Sequence, residues 1–387
     1  MEAKQAFSYI AILIVLSSLC GLLVIKGYRE RQDYLEFLNE FEEIDIDEST
    51  NSTLSNRELR YLLRTQKCEY IDAVFTWVNG SDKSFQKTLR NYSTTRQNHR
   101  FNDYGTLRFS IRSVIKNVKN LRNIYVVTNG QRPSWLSTED PRVKLVTHEE
   151  IFTGKHRDYL PTFNSNTIEL HLHNIPNLSE CFLYLNDDFI VQRQIGLDYF
   201  ISDPQKQLMN LYFDKKYVAP KHRKIRSLWH IRSTYTNILL NKHYHPSNFE
   251  TEHRYACHNA YFFRKTLIRH IYSIWNKEIE ASASHRFRNT RDAMLTFMHN
   301  NVALEEGLGK SKKCDTVVVS WGNDHKKNEK GWKGIPFWVH SFCLQDGFRD
   351  TTGRSYEREV GFLTEKLCKM FPDKSFAESG AEQNPCM

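Results

Sequence analysis

The sequence predicts an α/β protein: a Rossmann-like sheet, then a mainly helical C-terminal part, with one N-terminal transmembrane helix ahead of both. Three observations predict it. Short apolar, β-branched runs alternate with helix-spaced segments between residues 70 and 191, the order of a parallel α/β layer. Helical spacing takes over beyond about Phe200. Ala6 to Ile25 carries no charge and, at about 1.5 Å per residue, is long enough to span a hydrocarbon core of about 30 Å.

The apolar run is too long for a cleaved signal peptide, so an uncleaved anchor is expected. Its flanks disagree with the rest of the chain about orientation. Lys26, Arg29 and Arg31 follow it and only Lys4 precedes it, which by the charge rule would keep the body in the cytosol. Against this stand sequons at Asn51, Asn79, Asn91 and Asn177, and seven of the eight cysteines beyond the span. A lumen-facing body on a Golgi or other secretory-pathway membrane is therefore expected. Seven is odd, so at least one thiol stays free or pairs between chains. The expected organisation is tail and anchor over 1–28, a stem over 29–67, the body over 68–378 and a tail over 379–387. The acidic stem has apolar residues at partly helical spacing, which suits a self-association segment and a homodimer.

Within the body, Tyr70-IDAVFTWV-Asn79 reads as the first strand, closed by Asn79-Gly80. Leu107 to Val118 reads as a helix, Asn123-IYVVT-Asn129 and Val143-KLVTH as two more strands, and Asn166 to Asn174 as a second helix. Cys181-FLYLNDDFIV is a fourth strand interrupted at Asp187-Asp188. Further helices are expected at about Arg264 to Ile279, Asp292 to Asn300 and Glu357 to Met370, forming a lid packed on the sheet.

Composition narrows the chemistry. The 387 residues hold 54 basic and 45 acidic side chains, a net charge of +9, with 40% hydrophobic residues. That is a globular chain whose mild basic excess suits an anionic substrate, and it is too diffuse for nucleic acid. No P-loop, no GxSxG elbow and no GxGxxG after a strand occurs. Asp187 and Asp188 at a strand tip suit a hard divalent cation bridging phosphates, unless one of them is merely a turn or cap residue. Trp77-VNGS-Asp82 offers backbone N–H groups to a base or phosphate, or is an ordinary turn. Arg108, Arg112, Arg264, Arg286 and Arg288 are candidate phosphate clamps. His285, with Asp292 in the first turn of a helix starting near Asn289, is a candidate general base. Cys257-His258 alone reads as structural, not as a zinc site.

Taken together, four blocks resemble the Stealth family, the catalytic region shared by microbial capsule polymerases and the animal lysosomal-enzyme N-acetylglucosamine-1-phosphotransferase. They are Ile71-DAVFTWVNGS-Asp82; Arg100-FNDYGTLRFSIRSV through Phe182-LYLNDDF; His258-NAYFFRK with His285-RFRNTRD; and Phe342-CLQDGF with Phe362-LTEKLCKMFPDKSFAE. The resemblance implies a nucleotide-sugar-binding Rossmann-like sheet. It also implies transfer of a sugar 1-phosphate, by default N-acetylhexosamine 1-phosphate, from a UDP-sugar to a glycan hydroxyl, releasing UMP. It implies a divalent cation, Mg²⁺ or Mn²⁺, with the aspartates Asp187 and Asp188, and points to Asp72, Asn79, Asp82 and the His/Arg positions of the third block, among them His258. On the mechanism expected here, Arg108, Arg264 and Arg288 neutralise charge and His285, with Asp292 nearby, is the base. An aspartate is the alternative base. Gln345 and Thr106 stand where the family usually has Asn and an acid. These departures keep open a glycan-binding pseudoenzyme, beside a metal-dependent glycosyltransferase releasing UDP.

Overall fold

Apart from Asp72, the run Ile71–Phe75 is apolar, and all five side chains are buried, as in a strand covered on both faces. In the computed structural model, which describes residues 55–93, 101–216, 227–248, 251–258, 260–381 and 383–387, this run is β1 (Ile71–Thr76). It pairs in parallel with β2 (Leu121–Thr128) on one side and β4 (Cys181–Asn186) on the other. With β3 (Val143–Thr147) beyond β2 and β9 (Tyr261–Arg264) antiparallel on β4, the order is β3-β2-β1-β4-β9. The chain runs outward from β1 through β2 to β3, then returns to the far side of β1 as β4. A crevice at such a reversal, beyond the carboxyl ends of the strands, is where open α/β sheets bind ligands. Here it lies between β1 and β4, where Thr76 is registered with Asn186.

Helix α1 (Asn56–Thr65) begins with a Ser55/Glu58 capping box, and its Leu59 and Leu63 enter the main core. It was expected within the stem. Helices α2 (Lys83–Tyr92) and α3 (Thr106–Asn117) connect β1 to β2, and α4 (Ser165–His171) lies between β3 and β4. The apolar run over 6–25 and the rest of the expected stem up to residue 54 lie outside the described residues. Among the described residues, no helix is long and apolar enough to cross a membrane.

The C-terminal half departs from the mainly helical expectation. It carries α5 (Leu228–Tyr244), α6 (Lys265–Ile274), α7 (Asn276–Ser284), α8 (Leu295–Glu305), α9 (His325–Lys333) and α10 (Gly353–Met370), but also two further sheets. One contains β6 (Ile201–Asp203), β7 (Leu208–Lys216) and β10 (Gly309–Lys313), with β8 (Arg254–Ala256) on β7. The other orders β11 (Thr316–Trp321), β12 (Ser341–Asp346) and β5 (Phe189–Val191). The helix expected from Arg264 to Ile279 breaks at Trp275, and the one expected from Asp292 starts at Leu295, so Asp292 precedes it. Among the described residues, disulfides join Cys68 to Cys181, Cys257 to Cys314 and Cys368 to Cys386, leaving Cys343 as a buried thiol. Residues 383–387, expected as tail, include the buried Asn384 and the last disulfide partner.

Candidate active site

The Asp187-Asp188 turn is where the chain leaves the main sheet at the end of β4 and enters the third sheet as β5. Strand β12 runs alongside. The Leu344 amide donates to the Asp188 carbonyl (2.9 Å), and the Cys343 thiol donates to Asp188 Oδ2 (3.3 Å). The same strand ends in Asp346, an exposed carboxylate close enough to raise the affinity of both aspartates for protons. Asp103, held by the Gly105 amide at 2.8 Å and by the Trp77 indole, adds a fourth acid. Desolvation and these neighbours push Asp187 well up, and desolvation pushes Asp188 up to about 6.

Asp188 Oδ1 is buried and accepts no hydrogen bond. A buried carboxylate oxygen without a donor is expensive, and four converging carboxylates repel one another. Both strains are relieved by a hard divalent cation, which takes oxygen ligands. The residues therefore fit such an ion, with Asp187 and Asp188 nearest to it.

The β1 side of the crevice is the loop 77–82. The Asn79 amide donates to Gln131 Oε1 and the Gln131 side chain donates back to the Asn79 carbonyl, both at 2.9 Å, tying the ends of β1 and β2 together. The Asn-Gly does not close a hairpin. Gly80 N–H donates to the Phe101 carbonyl at 2.6 Å, and a Cβ there would lie 2.5 Å from that oxygen, so this close approach requires glycine. Asp82 caps α2 by accepting from the Phe85 amide at 2.7 Å.

A histidine group connects to the crevice through Glu169, Tyr184 and Asn186. His285 Nδ1 lies 2.8 Å from Asp292 Oδ1, while Asp292 Oδ2 accepts from Asn164 Nδ2 (2.9 Å) and the Asn289 amide (2.8 Å). Asp292 is fully buried and so fixes the ring, leaving Nε2 as its working nitrogen. Arg288 donates to Ser165 Oγ at 2.9 Å. Arg288, Arg232 and Asp292 all act on Glu169, which burial nonetheless pushes up to about 7. Glu169 meets the Tyr184 hydroxyl at 3.3 Å, and that hydroxyl donates to Asn186 Oδ1 at 2.8 Å, next to the acid pair. His258 meets Phe189 edge to face and bonds the Tyr261 hydroxyl at 3.0 Å.

Three expected substrate residues do not join this group. Asp72 sits at the start of β1, the wrong end of a parallel sheet, where it is clamped by Arg122 and by the Asn123 and Ser179 amides. Arg264 is fully buried at the same far end, donating to the Leu63 and Gln66 carbonyls and pairing with Glu180 at 3.3 Å. Arg108 lies over the Trp135 ring and 3.7 Å from Glu378. Of the weaker candidates, Arg112 is buried against Glu378 and Arg286 lies over Tyr92. Sequence reading missed Asp103, Asp346, Glu169 and Tyr184. The first two lie inside the quoted FNDYG and CLQD segments, where their acids were the available signal.

Comparison with known proteins gives this geometry a context. Models of the Stealth protein conserved regions match residues 69–97 (region 1), 100–209 (region 2) and 257–301 (region 3). The capsular polysaccharide phosphotransferase fcs1 of Haemophilus influenzae is 35% identical over 299 residues, 71% of this chain and 78% of that protein. The capsular polysaccharide phosphotransferase LcbA of Neisseria meningitidis is 33% identical, over 71% of this chain and 77% of that one. A solved structure of the galactosyltransferase LgtC with donor and acceptor sugar analogues aligns with a TM-score of 0.39 and 12% identity, over 79% of this chain and 98% of that one. The protein is a transferase of phosphorus-containing groups, acting in sugar phosphotransfer. It belongs to the Stealth family of phosphotransferases.

Proposed function

We propose that the protein transfers a sugar 1-phosphate, N-acetylhexosamine 1-phosphate by preference, from a UDP-sugar to a hydroxyl of an acceptor glycan. The acceptor oxygen attacks the β-phosphorus, the bond from that phosphorus to the bridging oxygen breaks, UMP leaves with the electron pair, and a phosphodiester forms. The observation that carries this reading is the set of carboxylates in the β1/β4 crevice, with Asp188 Oδ1 unpaired.

Asp187 and Asp188 would hold Mg²⁺ or Mn²⁺, with Asp346 and Asp103 adding negative charge beside it. The bound ion supplies neutralisation of the diphosphate, the principal electrostatic need of phosphoryl transfer. His285 takes the acceptor proton on Nε2, and the Asp292 carboxylate stabilises the imidazolium that results. Arg288 lies on the same flank, suited to the sugar phosphate. The 77–82 loop borders the nucleotide. Gln345 and Thr106 bear on donor choice.

The relatives are named capsular polysaccharide phosphotransferases, which favours a glycan acceptor. Three disulfides support an oxidising compartment, and with the apolar run 6–25 they favour a single-pass membrane glycoprotein with a lumenal catalytic domain, Golgi or secretory.

The test is Asp188→Ala, assayed for transfer beside its melting temperature. Loss of a cation ligand should lower the rate by at least about 10³-fold with the fold intact. A stable, fully active variant would remove the metal assignment.

A further inference from the structure

A second group of ligand-type side chains lies well away from the acid cluster, where α5, α8 and the segment before β8 meet. His245 Nε2 lies 3.2 Å and His253 Nε2 3.3 Å from the same oxygen, Glu305 Oε1, and all three atoms lie within 4.8 Å of one another. The tautomer of His253 follows from its surroundings. Asn237 Nδ2 donates to the Thr251 carbonyl at 3.2 Å, which turns its Oδ1 toward His253. That oxygen accepts from both the backbone amide (3.2 Å) and Nδ1 (2.8 Å) of His253. In the neutral ring Nδ1 therefore carries the proton and Nε2 the lone pair.

This Nε2 is buried, has no hydrogen bond, and is aimed at a carboxylate oxygen that also offers lone pairs. Two acceptors facing each other, one of them buried, need a positive charge between them. A proton on Nε2 would supply it, but it would not account for the second imidazole converging on the same oxygen. We infer that His245, His253 and Glu305 form a second metal site, for a zinc-class ion, distinct from the oxygen-lined catalytic pocket.

The dimensions match. Ligand bonds of about 2.0–2.1 Å in a tetrahedron put neighbouring donor atoms about 3.4 Å apart, and the two observed separations from Glu305 are 3.2 and 3.3 Å. Two imidazoles and one carboxylate suit zinc better than magnesium, which prefers oxygen. The Nδ1–Asn237 hydrogen bond is the outer contact that orients a metal-binding histidine. His245 and Glu305 are partly exposed, which leaves a fourth position to water. Along α5, His245 is about 20 Å from Arg232, and along α8 Glu305 is about 15 Å from Leu295. The ion would thus fasten the far ends of two helices whose near ends adjoin the histidine group, as a structural clamp independent of the reaction assigned above.

The full-length protein is stripped of metal, placed in excess Mg²⁺ and titrated with ZnCl₂ alone by calorimetry. One zinc equivalent is expected, with a rise in melting temperature, and Co²⁺ in its place should show tetrahedral visible absorption. His245→Ala, at a partly exposed position, and Glu305→Gln should each weaken binding by at least about 100-fold and abolish the cobalt band, whereas Asp188→Asn should leave both unchanged. No zinc equivalent in the parent protein, one that survives both substitutions, or one that disappears in Asp188→Asn would overturn the inference.

Discussion

Asp188 holds its proton to about pH 6 in the folded protein, against an ordinary 3.8, because burial strips water from its charged form. Between those values the native state binds more protons than the unfolded chain, so its contribution to stability is full below 3.8 and lost as pH rises through 6. Glu169, buried and raised to about 7, acts in the same direction, but it is common to parent and variant. In metal-free buffer, the melting temperature of the parent protein should therefore fall relative to that of Asp188→Asn between about pH 4 and pH 6. Above that range Mg²⁺ should restore the parent and leave the variant unmoved. Equal slopes and equal Mg²⁺ responses would mean that Asp188 is no ligand. The pairing of Asp187 with Asp188 was readable, because apolar FLYL and FIV bracket it. Asp72, implied by the resemblance, starts β1, and Arg264, taken as a guanidinium clamp, ends the antiparallel β9, so both lie at the edge opposite the crevice. In a parallel sheet only the carboxyl ends face the ligand.

The 77–82 loop depends on one close backbone contact between elements separated in the chain. Gly80→Ala places a methyl 2.5 Å from the Phe101 carbonyl oxygen, so the loop must move away from the segment carrying Asp103. Overpacking of this kind costs about 1–3 kcal/mol, and a shift of roughly 1 Å at a catalytic rim can cost about 100-fold in rate. Gly80→Ala should therefore lose activity out of proportion to its drop in melting temperature, as paired rate and thermal measurements would show. Four strands of the main sheet, β1 to β4, were legible as largely apolar runs, whereas β9, only four residues long, was not. The later strands were not. Ile201–Asp203 and Arg254–Ala256 are three residues each, and Gly309–Lys313 reads GKSKK, with no apolar alternation to mark it; Phe189–Val191 was read as strand, though not as part of another sheet.

The last residues of the chain close the molecule over α3. Arg112 donates to both carboxylate oxygens of Glu378 at 2.7 Å, to Asn384 Oδ1 at 2.8 Å and to the Phe371 carbonyl at 2.8 Å, all in a buried place. Removing one partner of such a pair strands the other charge, a loss of about 3–5 kcal/mol. Arg112→Ala should lower the urea midpoint accordingly while the folded fraction keeps its catalytic rate; a stable protein with impaired turnover would instead return Arg112 to the phosphate clamps. No local pattern announces this contact, since its partners are separated by 266 residues. Likewise, Asp346 comes near Asp187 and Asp188 only because two sheets join there, and Asp103 acts on Asp187 from the loop before α3.

The fate of the β-phosphorus decides what the acid cluster is for. With UDP-N-acetylglucosamine radiolabelled at that atom, Mg²⁺ and a simple sugar acceptor, the label should leave the nucleotide and appear in the acceptor as a phosphodiester, beside unlabelled UMP. Label retained in UDP, with an unlabelled glycoside as product, would make the protein a glycosyltransferase and contradict the phosphotransfer proposed here.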